Sequence, residues 1–287
     1  MNEPAGDLPV ARHQVLRSTF QSQIDRFRGR ILHPLEVNEE LQRGRTPRGL
    51  LITFDDGAAG IAEAARLLAE AGTAGVAFIC PGAFSKGLWF YRLADQLVRT
   101  RMEKLQWRDL ALTLAQTSDR RRAYSVLSEE LFDLPPSVRD EALAEIEAAL
   151  AVTSGETHPA LATLDEAGIR RAAERGGLVL ANHTWSHPNL VKLSSADLKS
   201  EIDSAQSWLS GSGLPFVPWF AFPRGSYDDR VCRTAAEYCP VLFGASSREN
   251  APDVLPRTYI CQLDANQIRF GVKTALGGRL RQFVFWK

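Results

Sequence analysis

Short apolar runs alternate with segments of helical spacing along most of the chain. Leu50 to Phe54 is one such run and ends at Asp55. From Ile61 to Ala71 the positions Ile61, Ala64, Ala65 and Leu68 recur on one helical face until Gly72 stops it. Val76 to Cys80, Leu178 to Ala181, Val217 to Phe222, Val241 to Phe243 and Leu255 to Arg257 repeat the strand signature. Strand and helix in alternation predict an α/β fold with a parallel sheet, and 287 residues is the size of one α/β barrel. The chain therefore reads as one domain over residues 1–287.

The helices between the strands have recognisable ends. Thr163-Leu164-Asp165-Glu166 has the spacing of a capping box, ahead of Ile169, Ala172 and Ala173, and Gly176-Gly177 closes that helix. Ser194-Ser195-Ala196-Asp197 opens another, with Leu198, Ile202, Ala205 and Leu209 as a core stripe. Phe20, Ile24 and Phe27 form one face of an N-terminal helix. Residues 85–160 break the alternation. Trp89 to Val98 and Val138 to Ala151 have helical spacing, the second after Pro135-Pro136, so this stretch predicts a small helical insertion and not a loose loop. Its open roles are passive packing on the barrel, a lid, or a surface for a partner or a lipid carrier.

Thirty-four basic residues balance thirty-four acidic ones, which gives no field to attract nucleic acid or anionic lipid and favours an uncharged ligand. The run Arg120-Arg121-Arg122 is expected on a solvated helix face. No apolar run reaches the ~18 residues of a membrane span. The sequence from Met1 lacks the marks of a secretion signal, so the expected location is cytoplasmic. Cys80, Cys232, Cys239 and Cys261 include no Cys-x-x-Cys pair and are expected as buried thiols.

Two segments carry candidate chemistry: Thr53-Phe54-Asp55-Asp56-Gly57 and His183-Thr184-Trp185-Ser186-His187. Two imidazoles four residues apart approach one another if the segment is helical or tightly turned, and Asp56 adds a carboxylate from another strand end. That set suits a divalent ion such as zinc, which takes three N/O ligands and leaves a position open for water. Asp55 is then free to act as general base. Each motif follows a predicted strand, and in an α/β barrel those strand ends share one rim.

A third segment, Phe220-Ala221-Phe222-Pro223-Arg224-Gly225-Ser226-Tyr227-Asp228, follows another apolar run. With these three motifs in order, the chain resembles the polysaccharide deacetylases, the NodB-homology carbohydrate esterases, from about Arg48 to Arg257 apart from the insertion. The resemblance implies a distorted (β/α) barrel with a helical insertion and removal of N-acetyl groups from an amino sugar in a saccharide or glycan-assembly intermediate. It also implies that Asp56, His183 and His187 hold the metal and that a backbone N–H of the Pro-x-Gly turn, by alignment that of Arg224, meets the oxyanion. Pro223, Gly225 and Tyr227 then border the substrate. Trp89, Phe90 and Tyr91 are candidate stacking platforms for sugar, against their more ordinary use as glue between helices. Thr184 and Ser186 read as braces of the His loop, and Asp228 as a helix cap.

Two positions depart from the better-known family pattern. Ala221 stands where many relatives have an arginine that orients the base, and Arg257 is the nearest substitute. Those relatives also use a late histidine as general acid, but no histidine follows His187, and His13, His33 and His158 read as surface residues. Asp55 would then both take and return the proton. Two other functions fit the same motifs, hydrolysis of a small non-sugar amide or cyclic imide and a catalytically silent glycan-binding module.

Overall fold

The computed structural model describes residues 15–45, 47–152, 157–245, 253–259 and 283–286; His13 and Cys261 lie outside them. The strands are β1 (Leu51–Asp56), β2 (Gly75–Ile79), β3 (Lys104–Trp107), β4 (Leu110–Thr113) and β5 (Leu178–Asn182). β6 (Phe216–Ala221), β7 (Val241–Phe243), β8 (Val254–Leu255), β9 (Arg257–Tyr259) and β10 (Phe283–Trp286) follow. The helices are α1 (Arg17–Phe27), α2 (Pro34–Gln42), α3 (Ile61–Glu70), α4 (Trp89–Arg99) and α5 (Thr117–Phe132). α6 (Pro136–Leu150), α7 (Glu166–Glu174), α8 (Ser195–Gly211) and α9 (Asp229–Tyr238) complete them.

Eight strands form one parallel sheet in the order β8-β7-β6-β5-β2-β1-β10-β9. β8 and β9 stand at its opposite edges yet are joined through Pro256 alone, so the sheet has to curl until its edges meet. The result is a distorted (β/α) barrel. Every residue of β1, β2 and β5 is buried, because both faces are covered. Ile52, Phe54, Ala77 and Ile79 pack outward on α1, α3 and α7, while Leu51, Val76, Phe78 and Trp219 fill the interior with Val37 of α2. Phe20 of α1 meets Phe54 edge-on at 5.9 Å. No described helix is long and apolar enough to cross a membrane.

The insertion leaves the barrel after β2 and has its own core, with Leu93, Leu97, Leu127, Leu131, Leu143 and Ile146 at its centre. Sequence spacing finds α4 and α6 but not α5 or the β3–β4 hairpin. Arg120, expected on a solvated face, instead donates to the Leu97 and Val98 carbonyls at 3.2 and 2.7 Å and so caps the C-terminus of α4. His158 is likewise no plain surface residue, since its Nδ1 accepts from Ala160 N–H at 3.2 Å. The cap of α7 is Asp165, whose Oδ1 accepts from Gly168 N–H at 2.7 Å, and not Thr163, whose backbone is tied to Ala58 in an isolated bridge. Ser194 caps α8 as the sequence suggests.

α3 lies so close to the start of β5 that a Cβ on Gly177 would sit 1.8 Å from the Ala65 carbonyl oxygen, whereas Gly176 has open space and a φ of 84°. Gly176→Ala is therefore expected to cost ~1–2 kcal/mol, the strain of a left-handed alanine, and Gly177→Ala distinctly more, because backbone must shift. Denaturant unfolding of both variants checks the order; equal costs would mean that α3 does not approach β5 this closely.

Candidate metal centre

Leu51 faces the barrel interior while Ile52 and Phe54 face outward, so the strand period of two puts Asp55 on the inner side at the top of β1. Asp56 has a left-handed φ of 76°, which turns its carboxylate out of the strand register. β5 runs into the His loop. That loop is not helical: Thr184 and His187 have φ of 71° and 58°, and this double left-handed turn brings the His183 and His187 ring centroids to 5.1 Å.

Asp56 Oδ1 lies 3.3 Å from His183 Nε2 and 3.3 Å from His187 Nε2. The Asp56, His183 and His187 donors all fall within 4.8 Å of one another, and all three residues are buried. Four ligands ~2.0–2.1 Å from a tetrahedral ion stand about 3.3 Å apart, so the spacing suits an ion of zinc's size. His183 Nδ1 is 2.8 Å from the Ala221 carbonyl oxygen. Because a carbonyl only accepts, Nδ1 carries the proton and Nε2 presents its lone pair to the site. The donor set thus fits a divalent metal.

Asp55 is held separately. Arg257 Nη1 donates to Asp55 Oδ1 at 2.8 Å and Nη2 to Oδ2 at 3.0 Å, a two-pronged pair in which both residues are almost wholly buried. Arg257 Nε donates to Gly244 O at 2.6 Å, and the guanidinium lies 5.3 Å from the Phe78 ring centre. Cys80 is no candidate ligand: burial and the nearby Asp56 charge push its thiol well above the ordinary range, and its Sγ donates to His183 O at 3.1 Å.

Around this centre the Pro-x-Gly turn and the insertion form a rim. Pro223 is buried, Arg224 has a left-handed φ of 53°, and a Cβ on Gly225 would come within 2.7 Å of Ala245 Cβ. Tyr227 packs on Phe222 at 4.6 Å, and Asp228 caps α9 by accepting from Val231 N–H at 2.8 Å. The Arg224 side chain crosses to α5, where it pairs with Glu129 at 2.7 Å and lies 4.3 Å from the Phe132 ring centre. Trp89, expected as an open platform for sugar, is instead 3% exposed, with its indole N–H donated to His187 O at 3.1 Å. Phe90 and Tyr91 are buried too. Their faces are spent on packing: Phe90 lies 4.8 Å from the His187 ring and 4.8 Å from Tyr91.

Several supporting residues have no mark in the sequence. Asn182 Oδ1 accepts from Thr184 N–H at 2.9 Å, and Glu201 accepts from the Ser186 N–H and hydroxyl at 2.8 and 2.7 Å. Burial raises the Glu201 carboxyl above its ordinary range, against the lowering effect of those Ser186 donors. Only the polar residue Asn182 at the very end of an apolar strand could have been suspected.

The family model described as polysaccharide deacetylase matches residues 142–240, a stretch holding the His loop and the Pro-x-Gly turn. That stretch, about a third of the chain, is similar to polysaccharide deacetylases. Among solved structures, it is similar to a polysaccharide deacetylase from Bacillus cereus at 14% identity and a TM-score of 0.51, covering 87% of this chain and 59% of that one. It is also similar to IcaB from Ammonifex degensii at 15% identity and a TM-score of 0.50, covering 85% and 87%. At such identities the likeness speaks for the fold alone. No curated protein matches the chain.

Removing Arg257 would strand a buried carboxylate, which typically costs ~3–5 kcal/mol. Arg257→Leu is expected to destabilise the protein in that range, and adding Asp55→Asn should recover part of the loss. A double-mutant cycle by denaturant unfolding measures it; additive costs would show that the pair is not coupled.

Proposed function

We propose that the protein is a metal-dependent N-deacetylase that hydrolyses the acetamido group of an amino sugar within a saccharide. The observation that carries this reading is the convergence of Asp56, His183 and His187 on one point beside an Asp55 carboxylate held by Arg257. A bound divalent ion, zinc by the ligand set, supplies a Lewis acid for the carbonyl and lowers the pKa of a water. Asp55 takes the proton of the attacking water. Each of its oxygens accepts one prong of Arg257 and keeps further lone-pair capacity for that proton. With no histidine after His187, the same carboxyl returns the proton to the departing amine. The Arg224 N–H, on its left-handed turn, is the candidate donor to the developing oxyanion.

The insertion supports a restriction to short or chain-terminal saccharides, since α4 and α5 stand against the His loop and the Pro-x-Gly turn on the side of the rim they occupy. A second reading, hydrolysis of a small amide or cyclic imide, draws on the burial of the centre, where Asp55, Asp56, His183 and His187 are between 0% and 4% exposed. Acetate release from N-acetylated monosaccharides, oligosaccharides and polymer, beside ring-opening of cyclic imides, separates the two.

On the deacetylase reading, Asp55→Asn is expected to retain the ion and lose ~100- to 10,000-fold in turnover. His187→Ala should lower metal affinity at least ~10-fold. Metal analysis and initial rates test both, and a fully active Asp55→Asn protein would remove Asp55 as the base.

A further inference from the structure

The His loop holds two left-handed, non-glycine residues within four positions, Thr184 and His187. Such backbone is unfavourable by roughly 1–2 kcal/mol per residue and persists only where its surroundings over-determine it. Two separate parts of the protein supply that constraint. The barrel takes N–H groups: Glu201 Oε2 accepts from Ser186 N–H at 2.8 Å and Asn182 Oδ1 from Thr184 N–H at 2.9 Å. The insertion takes the carbonyls of Ser186 and His187. Trp89 Nε1 donates to His187 O at 3.1 Å, Arg139 Nη1 to the same oxygen at 3.2 Å, and Arg139 Nη2 to Ser186 O at 3.0 Å. Arg139 is 2% exposed, and its guanidinium lies 5.2 Å from the Trp89 ring centre.

The ring of His187 is held from the same side, with Phe90 at 4.8 Å and Phe132 at 6.3 Å between centroids. His183 depends on the barrel instead, through Ala221 O on its ring and Cys80 Sγ on its carbonyl. We propose that the insertion is a working part of the metal centre, with Arg139 and Trp89 as positioning residues that fix the His187 imidazole for the ion. This inference rests on the metal-centre reading above. The Ser186 hydroxyl bridges Arg139 to Glu201, accepting from Arg139 Nη2 at 3.3 Å and donating to Glu201 Oε1 at 2.7 Å. An oxygen with two donors, one of them charged, has little freedom to move.

The test is zinc affinity by competition with a chromophoric chelator, measured on the parent, Trp89→Phe, Arg139→Lys and Arg92→Gln, with thermal unfolding of each metal-free protein. Arg92 pairs with Glu147 inside the insertion and so reports general damage to it. Trp89→Phe and Arg139→Lys are expected to weaken zinc about 10-fold, while Arg92→Gln leaves affinity unchanged even where it lowers Tm. If the first two bind zinc within about two-fold of the parent, or if Arg92→Gln weakens it equally, the inference is overturned. Should Arg139→Lys fail to fold, Trp89→Phe decides alone, because it removes one N–H and keeps an aromatic ring. A parent that binds no zinc sinks the metal-centre reading and this inference with it; a parent that binds zinc beside unaffected variants sinks the inference only.

Discussion

The architecture of the centre depends on one buried ion pair, Arg257 with Asp55, in which neither side chain has appreciable contact with water. Burying two charges is costly, and their attraction repays it only when geometry is good and the remaining donors are used. Both conditions hold here: the guanidinium engages the carboxylate through two nitrogens and spends its third on the Gly244 carbonyl. Arg257 belongs to β9 and Asp55 to β1, with β10 between them. The pair therefore ties β9 to β1 across the interior, past the intervening β10. It also leaves Asp56, the next residue, as the carboxylate nearer the imidazoles, at 3.3 Å from both against 3.8 Å between Asp55 and His183.

Backbone strain marks the same place. Of the non-glycine residues with positive φ among the described residues, Asp56, Thr184, His187 and Arg224 all stand at this rim. Each costs free energy that a plain strand-to-loop passage would not. Three of them have contacts that fix them: Thr184 donates its N–H to Asn182 Oδ1, His187 donates its N–H to Thr184 Oγ1, and a buried proline precedes Arg224. A regular helix would also bring residues 183 and 187 to one face, but it would point both side chains along one helix side. The left-handed passage lets two rings from one short loop converge on a carboxylate from a different strand.

Much of this was legible in the sequence, and the limits have a common cause. Apolar runs and helical spacing are local signals, so β1, β2, β5, β6, α3 and α8 could be read directly, and the three motifs fell at strand ends because the chain alternates so regularly. The motif residues Asp55, Asp56, His183 and His187 come together because β1 and β5 run parallel on either side of β2 and end on the same rim. The hairpin of Lys104–Trp107 with Leu110–Thr113 went unread because each strand is only four residues long. α5 went unread because its outer face is so polar that few apolar positions repeat along it. Trp89 shows the other limit. Its spacing told that it lies on a helix, but not that its indole N–H would reach a carbonyl 98 residues away in sequence.

The insertion's two attachments to the centre differ in kind. At α4 and α6 the contacts are buried hydrogen bonds onto backbone carbonyls of the His loop, where breaking one leaves an unsatisfied group and costs ~1–3 kcal/mol. At α5 the Arg224 side chain pairs with Glu129, whose carboxylate is 73% exposed, a kind of pair worth ~0–1 kcal/mol, and also donates to Ser128 O at 3.2 Å. The fold combines a ligand loop hydrogen-bonded to the insertion at its backbone with a turn joined to the insertion through one side chain, Arg224, which pairs with Glu129, donates to Ser128 O and lies against the Phe132 and Trp89 rings.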